Sequence, residues 1–192
     1  MDVNSNWSSA PKMTRMSPHG EAPPMSNPLR DDPIAMARAQ WVEHGWDDAA
    51  DGMAAITSLM RAHQIALARV EATLKPLGVT FARYEVLMLL YFSKRGSLPM
   101  KVIGSRLQVH PTSVTNAVDR LEEAGLVTRS PHPDDRRAIL VALTPSGRQL
   151  AQKATDALNG EVFSRPELSP RDLARLVEVL TRLRRVAGDF GA

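Results

Sequence analysis

Between Leu98 and Thr144 the chain passes through two short helical patterns, a glycine, and two strand patterns around a proline-bounded charged tip. Almost no residue is spare between them. Such tight spacing leaves few ways to bury the apolar positions of all four elements at once. It constrains the fold more than any other feature of the sequence.

The second helical pattern opens at His110-Pro111, with proline at the first helical position, where no backbone donor is lost. Val114, Val118 and Leu121 recur at i, i+4 and i+7 and form one apolar stripe. The other face carries Thr112, Ser113, Thr115 and Asn116, with Arg120 a turn later. These hydrogen-bonding side chains suit base edges and phosphates in a major groove. Asp119, Glu122 and Glu123 follow in the C-terminal half, where phosphates would repel them. The pattern therefore predicts a helix that enters a groove by its N-terminal half only, with Pro111 at its start.

Gly125 predicts a left-handed end to that helix. Leu126–Arg129 reads as a strand and Ala138–Leu143 as its partner, rich in β-branched and apolar residues. Between them lies Ser130-Pro131-His132-Pro133-Asp134-Asp135-Arg136-Arg137. An isolated DDRR is usually a solvated turn. Beside a groove-reading helix, an arginine on a stiff tip can enter the adjacent minor groove, and the aspartates can orient its guanidinium. Ser97-Leu98 predicts a short third strand, and residues 99–107 a first helix with Val102, Ile103 and Leu107 inward. Together these elements describe a winged helix-turn-helix.

The rest of the chain reads as helical support. Residues 1–30 carry Pro11, Pro18, Pro23, Pro24 and Pro28 with little periodicity, and are expected to form a disordered tail. Asp31-Asp32-Pro33 starts a short helix that breaks near Gly45. A long helix from Asp47 to about Lys75 follows, with Met53, Ile56, Met60, His63, Leu67, Val70 and Leu74 in a heptad-like seam. On that seam His63 reads as a satisfied core histidine rather than a ligand contact. Thr80 caps a helix to Ser93 that is apolar almost all round and expected to be central. Thr144-Pro145 caps another, to about Phe163. Ser169-Pro170-Arg171-Asp172 starts the last, with Leu173, Leu176, Val177, Leu180 and Leu183 as its stripe. The expected fold is mainly α with a small β-wing: a winged helix-turn-helix core at 79–144, flanked by N-terminal dimerisation helices at 31–78 and C-terminal ones at 145–192.

Charge and composition narrow the function classes. The net charge is only +3. From Lys94 to Arg148, however, nine Lys/Arg face five Asp/Glu, so the reading unit is the more basic part. The chain has no cysteine, which excludes thiol-based redox sensing and thiolate zinc sites, and fits a cytoplasmic protein. No apolar run approaches a membrane span, and the histidines lack metal-site spacing. No catalytic residue or cofactor is implied: there is no Gly-rich phosphate loop, nucleophile elbow or HExxH.

The text HPTSVTNAVDRLEEAGLVTR followed by DDRRAILVALTPSGR resembles the MarR family of winged-helix transcription regulators. The resemblance implies a homodimer on a pseudo-palindromic operator. It makes Arg137, oriented by Asp135, the minor-groove residue, with Arg136 a second candidate. It also implies a small anionic or aromatic acid effector, held near Trp41 (or Trp46), His44, His63, Arg61, Arg83 and Tyr84. The extra N-terminal helix resembles a urate- or citrate-sensing branch, and Trp41 (or Trp46), Glu85 and Arg129 match three positions of the urate-type site. Ala117 stands where that branch has a further arginine, which counts against urate. The leading expectation is a ligand-released, DNA-binding repressor. The alternative is a winged-helix architectural or protein-interaction module without operator specificity.

Overall fold

The computed structural model describes residues 29–107, 110–133, 135 and 138–191. The expected tail, except Leu29 and Arg30, lies outside them. The chain divides into two compact units, residues 1–57 and 58–192.

In the first unit, helix α1 (Pro33–Glu43) begins as the capping signal requires: the Asp32 carboxylate accepts the Ile34 N–H at 2.9 Å, with Pro33 behind it. Gly45, at φ 77°, breaks the chain in the left-handed region. Helix α2 (Asp47–Leu74) then starts, and Arg38 Nε donates to Asp51 Oδ1 at 2.6 Å across the corner. Trp41 and Trp46 meet edge-to-face at 5.2 Å.

The second unit holds the core. The C-terminal turns of α2 place Val70 and Leu74 in it, and the helix stops in a 3-10 turn closed by Gly78 at φ 68°. Helix α3 (Phe81–Phe92) is capped by Thr80 and buries Tyr84, Val86, Leu87 and Leu90, as its apolar composition predicts. Strand β1 (Ser97–Pro99), helix α4 (Met100–Leu107), helix α5 (Pro111–Glu123), and strands β2 (Val127–Pro131) and β3 (Ile139–Leu143) follow. The sheet is antiparallel in the order β1-β3-β2, with Leu98 opposite Val141 and Arg129 opposite Val141 on the other side. Val141, Val127, Ile103 and the α5 stripe Val114, Val118 and Leu121 are all buried in one core with the α3 side chains. Helix α6 (Pro145–Leu158) closes the core through Ala151, Ala154 and Leu158, and helix α7 (Pro170–Val186) begins at the Ser169–Asp172 capping box.

Three expectations change. Strand β2 reaches Pro131 rather than stopping at Arg129; it is an edge strand, where a proline breaks no ladder bond. Helix α6 ends at Leu158 and passes into a wider π-type turn, Asn159–Phe163, where Arg69 Nη2 donates to the Glu161 carbonyl at 2.9 Å. His63 is solvent-exposed, not a core histidine. The seam it shares with Met60 and Leu67, themselves 60% and 38% exposed, has no cover among the described residues of the single chain.

Candidate nucleic-acid interface

Helix α5 is set by local chemistry at both ends. At its start the imidazole Nδ1 of His110 accepts the Thr112 N–H at 3.3 Å. At its end Gly125 turns at φ 68°, and the Leu126 N–H returns to the Leu121 carbonyl at 2.9 Å. The apolar stripe fixes the rotation of the helix. Thr112, Ser113, Thr115 and Asn116 therefore stand exposed along one outer row. Pro111 is the first helical residue. Arg120 is also exposed, and its Nη1 donates to Glu123 Oε2 at 2.9 Å. An ion pair so open to water contributes little, and a phosphate can displace it at small cost.

The wing hairpin folds back through the His132 N–H to the Ala138 carbonyl and the Ala138 N–H to the Asp135 carbonyl, both at 2.9 Å. Asp135 is exposed. Arg136 and Arg137 lie outside the described residues. The root of the wing is tied to α6 by Thr144, whose hydroxyl donates to the carbonyls of Gly125 and Leu126 at 2.9 and 3.0 Å and accepts the Gly147 N–H at 3.0 Å. Gly147 is buried there because an added Cβ would stand 2.0 Å from the Leu126 carbonyl oxygen.

The expected effector residues belong to both units. Trp41 and His44 belong to the first unit. His44 Nδ1 donates to the Gln40 carbonyl at 2.8 Å, and its ring lies 5.5 Å from that of Trp46. In the second unit Arg83 Nε donates to Thr80 Oγ at 3.1 Å, so the capping hydroxyl already engages this cation. Glu85, two residues on, is partly buried, and desolvation raises its carboxyl above the ordinary carboxylate value. Tyr84 is buried and hydrogen-bonds Thr155 at 3.1 Å, which makes it core rather than lining. Arg61 sits on α2, where its Nη1 donates to Gln64 at 3.3 Å. Arg129 lies elsewhere, between two carboxylates of α5: Nη2 donates to Asp119 Oδ1, and Nη1 lies 3.4 Å from Glu122 Oε2.

Three roles, those of His110, Arg129 and Gly147, escaped the sequence reading. The capping role of His110 was legible in its place before Pro111. The clamp at Arg129 had a fainter signal, two acids at i and i+3 on the preceding helix. Gly147 had none, since its need comes from a carbonyl twenty-one residues away. Among the described residues no cluster of His, Asp or Glu could hold a metal, and no helix is long and apolar enough to cross a membrane.

A groove-sized helix with a polar outer row, beside a two-stranded wing on a helical core, defines a winged-helix DNA-binding regulator. The MarR family model matches residues 79–139. Sco5413, a MarR family transcriptional regulator from Streptomyces coelicolor, is 48% identical, with a TM-score of 0.68 over 74% of this chain and 99% of that one. The organic hydroperoxide resistance transcriptional regulator of Bacillus subtilis is 32% identical over 110 residues, 57% of this chain and 73% of that one. Sco3205, a MarR family transcriptional regulator from Streptomyces coelicolor solved in complex with DNA, is 26% identical, with a TM-score of 0.63 over 74% of this chain and 89% of that one. The chain belongs to the MarR family and is a transcriptional regulator, not an enzyme.

Proposed function

We propose that this regulator is a cytoplasmic homodimeric repressor that reads a pseudo-palindromic operator and is released by a small anionic or aromatic acid. The observation that carries the reading is the exposed row Thr112, Ser113, Thr115 and Asn116 at the N-terminal half of α5, directly beside the wing. Phosphate contacts fix the helix in the groove, and the amide of Asn116 pairs with a base edge. Arg137, oriented by Asp135 and seconded by Arg136, enters the minor groove from the wing. The relative solved with DNA supports this reading.

A palindrome needs two α5 helices about 34–36 Å apart. The apolar stripe of α7 supports a second copy as the means: Leu173, Leu176, Val177 and Leu183 are 38%, 43%, 57% and 45% exposed in the single chain. The segments 31–78 and 145–192 thus form the dimer, and 79–144 reads DNA. An effector releases DNA by binding one dimer geometry better than the other. Trp41, His44, His63, Arg83 and Glu85 are the residues offered for its recognition, with Arg83 its anion partner.

The test is a gel-shift assay on the duplex upstream of the protein's own coding region, with random competitor, followed by addition of small acids. Specific binding abolished by an acid is expected. Equal affinity for any duplex would overturn operator reading in favour of an architectural module. Specific binding indifferent to every acid, or an unchanged response in Arg83→Ala, would overturn the effector assignment.

A further inference from the structure

Among the described residues Arg129 is the most heavily engaged cation of the reading unit, and DNA contact does not account for it. It sits at the centre of β2, opposite Val141, with a side chain only 26% exposed and a buried Nε that has no hydrogen-bond partner among the described residues. Its two terminal nitrogens reach different carboxylates of α5: Nη2 pairs with Asp119, and Nη1 lies 3.4 Å from Glu122 Oε2. The other oxygen of Glu122 accepts the Arg129 backbone N–H at 3.1 Å. Because β2 is the outer strand of the sheet, this N–H belongs to an edge, and Glu122 supplies the partner that a further strand would have given.

We propose that Arg129 is a positioning residue for DNA reading. It bridges the wing to the recognition helix, sets the angle between them, and so makes two groove contacts act as one. This role rests on the DNA-reading function proposed above. The geometry favours an angular lock because two hydrogen bonds and an ion pair from one residue, through both main chain and side chain, meet two acids one turn apart on α5. A planar guanidinium holds two carboxylates in fixed directions, which an ammonium cannot. Asp119 and Glu122 acquire a use in the same step. They lie on the helix that meets DNA, where bare carboxylates would repel phosphate, and they are retained as the helix side of the lock.

The decisive variant is Asp119→Asn/Glu122→Gln, which leaves Arg129 in place. If the acids were only charges near DNA, removing two of them would tighten binding to every duplex and leave discrimination unchanged. The lock predicts the opposite for specificity: the ratio of affinities for a duplex selected from a random pool by the wild-type protein over random duplex falls about tenfold or more. Arg129→Lys keeps the charge and loses the fork. It is expected to lower the same ratio while its thermal unfolding stays near that of the wild type. In free protein, amide exchange at Arg129 is expected to quicken in both variants. An unchanged ratio together with unchanged exchange in folded variants would overturn the lock alone. A wild-type protein that selects no sequence would overturn operator reading and this inference with it.

Discussion

Gly147→Ala sets two effects of opposite sign against each other. Gly147 lies in the first turn of α6, and alanine is the better helix former by about 1 kcal/mol. By propensity alone the substitution stabilises. Packing says otherwise. The new Cβ would stand 2.0 Å from the Leu126 carbonyl oxygen and 3.0 Å from both the Leu126 carbonyl carbon and Leu143 Cδ1. Relief requires a shift of roughly 1 Å or more, since comfortable non-bonded contacts begin near 3.5 Å. The obstacle is main chain and cannot rotate aside. The same oxygen accepts the Thr144 N–H at 3.1 Å and the Thr144 hydroxyl at 3.0 Å, so moving it strains the root of the wing. Overpacking of this kind costs about 1–3 kcal/mol, and a rigid obstacle puts it at the upper end, so the net loss is about 2 kcal/mol after propensity is credited. For a chain of this size that lowers Tm by roughly 4–8 °C. Circular-dichroism melts of the two proteins at one concentration measure it. Gly52→Ala in α2, where a Cβ meets nothing within 4 Å, is the control and should raise Tm slightly. A Gly147→Ala protein that melts within about 2 °C of the wild type, or above it, would refute the close-approach argument.

Four further outcomes are expected. Asn116→Ala should lose ~1–3 kcal/mol of operator affinity and relax preference at one base position, read by binding to a panel of single-site operator variants. Arg137→Ala should weaken binding to all duplexes and reduce the log–log salt slope by about one unit, measured by anisotropy titrations across salt concentrations. Val177→Glu, on the exposed stripe of α7, should leave helical content intact and shift the protein to monomer in light scattering. Burial raises the Glu85 carboxyl, so the folded protein binds that proton more tightly than the unfolded chain does. The stability tied to this group is full below the ordinary value of 4.5 and is lost as pH rises through the higher folded value. Glu85→Gln should therefore gain Tm over the wild type at pH 7, with the gain vanishing near pH 4.

Much of the candidate site was legible because its signals are local. A capping side chain, a proline at a first helical position and a left-handed glycine act within about four residues, and the stripe Val114, Val118, Leu121 sets which face of α5 turns outward. From these the sequence by itself determined the order of elements, the bounds of most helices and the polar row of the recognition helix. The tertiary structure decided what depends on chain segments meeting at a distance. His63 stands on an apolar pattern and is exposed because none of the described residues of the single chain covers that stretch of α2. Arg129 fits a ligand-binding pattern, yet the packing of β2 against α5 delivers it to Asp119 and Glu122. Gly147 carries no local mark, and only the approach of the Leu126 carbonyl excludes every larger residue there. Periodicity tells which face of an element is buried; which atoms it is buried against follows only once all the elements are packed together.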